Sequence, residues 1–249
     1  MKVVRINTYD GKYDIIALDD RRWYTHPNGD DLTICPIGLN QDHHKFRFIT
    51  YNQFATRDIL KMFDVGPGDE IFVPGRFVGR DGKQRNTPAV RFGNIAQMPE
   101  EPLTIDGRVQ ECYLVEARSI PGYSGAPVFL HFIPEHPEVE YPDWMPNKPP
   151  KSNRPKIGFK IDPFLLGIDF CHMLDREKPR LDFDDRPLEV EWHLRSNTGM
   201  MGVIPIWRVW DIVEGREMKM IRDNLAREIE QTSTAVPEPP ENPPEGDCK

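Results

Sequence analysis

Apolar positions in the first 200 residues fall in short runs, each cut off by Gly, Pro, Asn or Asp. The runs Val3–Asn7, Tyr13–Leu18, Leu32–Ile37, Phe46–Thr50, Glu70–Val73, Ala89–Ile95, Gln110–Ala117, Pro127–Phe132, Leu165–Phe170 and Met201–Ile204 read as strands. Short strands with turn residues between them predict an all-β sandwich or barrel, since βαβ units would need helical runs in the gaps. Asp81-Gly82 is placed to turn a hairpin. The period changes only after Pro205. Ile206, Val209, Trp210, Val213, Ile221, Leu225 and Ile229 then recur at helical spacing, which predicts a helix over 207–232 with Gly215 as its weak point.

Composition sharpens this picture at the C-terminus. The hydrophobic share is 38% and the mean hydropathy is −0.59, low for a folded globule. Part of the deficit is local, because the Pro- and Glu-rich stretch 233–249 can bury almost nothing and is expected as a disordered tail. Residues 133–156, dense in proline and aromatics, and the charged stretch 175–185 read as long surface loops. No apolar run approaches the roughly 20 residues needed to cross a bilayer. Nor does an apolar targeting stretch follow Met1, so the expectation is a cytoplasmic protein without a membrane partner. A net charge of −8 would repel a phosphate backbone and argues against nucleic acid. Cys35, Cys112, Cys171 and Cys248 occur singly, without the spacing of a zinc site or disulfide framework. The first three are expected as small buried residues and Cys248 on the tail. No metal and no cofactor are expected.

The chemistry concentrates in Ser119-Ile-Pro-Gly-Tyr-Ser-Gly-Ala-Pro-Val-Phe129. Gly122 and Gly125 let the backbone around Ser124 take a tight, partly left-handed path. Such a path can aim consecutive N–H groups at one point, where they would stabilise the oxyanion of an acyl-transfer intermediate.

Five ordered pieces resemble the trypsin-like serine peptidases, bacterial type. Gly68-Asp-Glu-Ile-Phe-Val-Pro-Gly75 resembles the first strand of that family's second barrel, and Val90-Arg-Phe-Gly-Asn-Ile-Ala96 the following one. Gly122-Tyr-Ser-Gly-Ala-Pro127 resembles the nucleophile motif, with Ala126 in place of its second glycine. Leu165-Leu-Gly-Ile-Asp-Phe170 resembles the strand whose backbone pairs with substrate, and Met200–Trp207 the closing strand that leads into a C-terminal helix. The resemblance implies a chymotrypsin-like double β-barrel plus a C-terminal α-helix. Its parts would be an incomplete first barrel at 1–62, a second barrel at 64–206, the helix at 207–232 and the tail at 233–249. It further implies Ser124 as nucleophile, Asp31 as the acidic triad member, and the N–H groups of Gly122 and Ser124 as the oxyanion hole. Tyr123 and His172 are placed to line the cleft.

The triad also needs a base, and in this family the chain order is His, Asp, Ser. Only His26 precedes Asp31, and five residues are too few to reach the separate strand that bears the base. His43 and His44 follow the acid in what reads as a solvated turn; His131, His136 and His193 have no motif support. Two expectations follow. Either the protein starts upstream of Met1 and the base lies there, giving peptide-bond hydrolysis of a polypeptide substrate, or the chain is a pseudoprotease whose cleft binds a peptide or protein partner. A serine without a base is a poor nucleophile at neutral pH.

Overall fold

Alternation at a period of two decides which residues face inward. Ile71 and Val73, Tyr113, Val115 and Ala117, Val128 and Leu130, and Met201 and Val203 are all buried in one cluster with Ile95 and Leu166. Each such side chain contributes about 1.5–3 kcal/mol through the apolar area removed from water. The structure is a computed structural model, and it describes residues 2–76, 82, 85–105, 107–117, 122–131, 163–177 and 194–234. The expected loop at 133–156, residues 178–185 of the charged stretch, residues 235–249 of the tail with Cys248, and His136, His193 and Asp81 lie outside the described residues, whereas 175–177 belong to a strand and 233–234 to a helix.

The inward-facing residues belong to six strands: β5 (Glu70–Arg76), β6 (Pro88–Gln97), β9 (Tyr113–Ala117), β10 (Pro127–Leu130), β11 (Leu165–Glu177) and β12 (Leu194–Pro205). They close into an antiparallel barrel in the order β10-β11-β12-β9-β6-β5. Closure comes from β5 pairing with β10 through Phe72 with Phe129 and Ile71 with Leu130. β11 and β12 run on together to Glu177 and Leu194, well past their pairings with β10 and β9.

The expected strand at 110–117 is split. A short hairpin of β7 (Leu103–Ile105) and β8 (Arg108–Gln110) ends there, and Glu111 and Cys112 separate it from β9. The predicted single helix is two, α2 (Ile206–Val213) and α3 (Arg216–Thr234), broken at Gly215. Pro205 caps α2. A further short helix, α1 (Arg57–Met62), starts where the Thr56 side chain accepts the Ile59 N–H.

The residues before α1 do not form a first barrel. They hold two separate two-stranded ladders, β1 (Val3–Asn7) with β2 (Tyr13–Ala17), and β3 (Tyr24–Thr25) with β4 (Thr33–Ile34). The stretch 46–50 carries no ladder at all. The physical reason is where the apolar residues go. Leu32, with Tyr24 and Ile34, packs on Ile204, Ile212 and Met218, while Phe54 joins Phe129, Leu165 and Ile206. This part of the chain covers the outside of the one barrel and encloses no core of its own.

Charge fastens it there. Glu111 accepts from Arg208 at 2.6 Å, Trp207 Nε1 at 3.0 Å and Arg57 at 3.1 Å. Arg208 also contacts Asp30 at 3.3 Å, and the fully buried His26 ring lies 3.3 Å from both Asp30 and Asp211.

Gly167 of β11 lies so close to β12 that a Cβ there would run into the Ile204 carbonyl oxygen. Gly167→Ala is therefore expected to destabilise the barrel by about 1–3 kcal/mol through overpacking. A lowered midpoint in urea with an unchanged m-value checks this, and an unchanged midpoint contradicts it.

Candidate functional site

Ser124 sits in the tight turn between β9 and β10. Gly122 (φ 102°) and Gly125 (φ 88°) take the left-handed conformations the turn requires. The turn is tied down on one side only. Ala126 N–H donates to Tyr123 C=O at 2.8 Å, and Gly125 N–H to Asp169 C=O at 2.7 Å. Two amides are used to hold the turn, and among the described residues those of Gly122, Tyr123 and Ser124 have no acceptor, beside an exposed hydroxyl.

The hydroxyl itself donates to the Phe170 carbonyl of β11 at 3.3 Å. That carbonyl is available because the β11–β12 ladder skips Phe170: Asp169 pairs with Val203 and Cys171 with Gly202. No family model matches the chain, and neither a curated protein nor a solved structure matches it significantly. The site therefore rests on its own geometry.

The other expected site residues are not gathered around Ser124. Tyr123 turns inward, 3% exposed in the barrel core, with Arg91 over its ring at 4.5 Å. His172 is half-buried on β11, opposite Met201. Asp31 is exposed; its backbone N–H donates to Gln110 and its carboxylate lies 3.7 Å from Arg108. The buried acid facing a histidine is its neighbour Asp30, paired with His26 as described above. Among the described residues no hydrogen bond joins Ser124 to Asp31 or to any histidine.

A histidine-rich cluster lies elsewhere. Asp14, His43 and His44 bring one ligand atom each within 4.8 Å of the others. His43 Nε2 is 2.8 Å and His44 Nε2 3.3 Å from Asp14 Oδ2. The Asn40 N–H, however, donates to His44 Nδ1 at 3.0 Å. With that lone pair engaged, the neutral ring carries its proton on Nε2, aimed at Asp14. A metal-bound histidine needs the opposite arrangement, a free Nε2 lone pair and an Nδ1 proton to donate. The cluster fits a clasp between β2 and the 40–45 turn, not a metal centre. His44 is accordingly mostly covered, with only His43 solvated.

Asp169 gave no signal in the sequence, being one acid in an apolar strand. Its side chain faces the core opposite Val203, 2% exposed, and its Oδ1 has no partner. Burial pushes its carboxyl up to about 7, against a partial pull downward from the Cys171 N–H. The unfolded chain would ionise near pH 4. Between about pH 4 and 7 the folded state keeps a proton the unfolded state has lost, so stability falls as pH rises through that window. Asp169→Asn is expected to be more stable than the parent at pH 8, by about 2 kcal/mol or more, with the gap closing at pH 4. Thermal unfolding of both proteins across that range checks it; a pH-independent difference contradicts it.

Proposed function

We propose that this chain is a trypsin-like serine peptidase unit, in which Ser124 is the nucleophile for peptide-bond hydrolysis. The observation that carries the reading is the unequal use of amides in the Ser124 turn: Gly125 and Ala126 are engaged, whereas those of Gly122 and Ser124 have no acceptor among the described residues. In this reading the open pair receives the carbonyl oxygen of a polypeptide and stabilises it as the oxyanion. The ordered resemblance supports it. The segments at 68–75, 90–96, 165–170 and 200–207 contribute strands to one barrel, and 122–127 forms the turn that enters β10. The reading assigns no role in the triad to His26, whose ring is enclosed by Asp30 and Asp211. It draws its base from residues other than the described ones. No cofactor enters such a mechanism.

A second reading, the pseudoprotease that binds a peptide or protein without cutting it, is favoured by one contact. The Ser124 hydroxyl donates to a backbone carbonyl and not to an imidazole, so nothing described raises its nucleophilicity. The same open amides would then hold a carbonyl or terminal carboxylate of the partner.

A fluorophosphonate probe separates the two. Hydrolytic competence is expected to give one adduct per chain, at Ser124, abolished in Ser124→Ala. A folded protein that gains no mass after long exposure would overturn the peptidase reading and leave the binding one.

A further inference from the structure

Asp169 grips the Ser124 turn with both of its backbone groups. Its N–H donates to Ala126 C=O at 2.9 Å, and its C=O accepts from Gly125 N–H at 2.7 Å. Its side chain shapes the next two residues as well, because the carboxyl accepts the N–H of Cys171. That contact folds the strand over Phe170, the residue the ladder skips, and the carbonyl so presented takes the Ser124 hydroxyl. One residue thus sets both the backbone that holds the turn and the acceptor that orients the serine.

The carboxyl that does this is buried and half-satisfied, with Oδ1 unpartnered against the core. A neutral acid can remain there. A carboxylate would be an uncompensated charge in an apolar interior and would draw water or move outward. We propose that Asp169 is a positioning residue for Ser124, and that its ionisation releases the Phe170 bulge and with it the geometry of the turn. The functional consequence, a site closed to its ligand in mild alkali, rests on the reading of Ser124 given above; the coupling itself does not. Among the described side chains, the titratable groups on these elements are Tyr123 in the turn, Tyr113 and Glu116 on β9, Cys171 and His172 on β11, and Arg208 and Asp211 on α2. None of these side chains sets its protonation, which answers to burial and the Cys171 N–H. The raised carboxyl places the transition at about pH 7, within reach of ordinary conditions.

The test is a titration of the full chain by NMR between pH 5 and 9, following the Asp169 carboxyl carbon and the Ser124 and Gly125 amides. The ionised fraction should rise from about one tenth a pH unit below the midpoint to about nine tenths a unit above it. The proposal expects the two amides to move with the carboxyl at one shared midpoint, and Asp169→Asn to abolish that movement while the β1–β2 resonances stay in place. Amides that ignore the carboxyl in the parent protein overturn it, and so does the same titration persisting in Asp169→Asn. If the variant fails to fold, co-titration in the parent protein decides alone. A chain that never labels at Ser124 would defeat the hydrolytic reading but not this coupling, which the resonances report directly.

Discussion

Two residue pairs close the barrel, and most of what the molecule presents depends on them. Phe72 with Phe129 and Ile71 with Leu130 join β5 to β10, turning a curved sheet with two open edges into a closed wall. β10 is only four residues long, and it is entered directly from the Ser124 turn. Its position between β5 and β11 therefore fixes where the turn emerges. Asp169 then adds a second point of attachment from the neighbouring strand. A glycine-rich turn left on its own would sample many conformations; this one is held where it enters β10, by Asp169 and by the contact of Ser124 with Phe170.

That attachment gives the turn its chemical character. An ordinary tight turn closes on itself and uses its amides in doing so. Here the restraint falls on Gly125 and Ala126, and among the described residues the amides of Gly122 and Ser124 have no acceptor, with the serine hydroxyl beside them. Gly122 and Ser124 are exposed, so water can satisfy these donors until a ligand oxygen replaces it. In the proposed reading these donors and the hydroxyl would receive an oxygen atom, whatever the fate of the group that carries it.

The barrel strands were legible because alternation is local: Ile71 and Val73 or Val115 and Ala117 announce an inner face by themselves. The order in which strands meet is not local, and no stretch of sequence states that β9 lies beside β12. The N-terminal region misled for the same reason. Leu32 and Ile34 look like residues of a strand in a second barrel, yet they are apolar because they sit on Ile204 and Ile212. The Ser124 turn could be read from its glycines and proline. Thr56-Arg-Asp-Ile carried a helix-start signal, an N-cap with an acid in the first turn, which marks α1. Asp169 could not be read, because a single acid between Ile168 and Phe170 is indistinguishable in sequence from one that points to water. Only the register that sets it opposite Val203 places it on the inner face.

The group of charges around Glu111 has a consequence for how this protein can change over generations. Arg57, Trp207 and Arg208 all converge on that one carboxylate, and Arg208 in turn meets Asp30, which meets His26. Losing any inner member leaves its partner charged and largely out of water, a far larger penalty than the pair's net contribution to stability. Substitutions here should be tolerated in matched sets and rejected singly. Across descendants of this chain, Glu111 and Arg208 would be inherited or replaced together, while solvated pairs such as Lys12 with Asp10 drift independently.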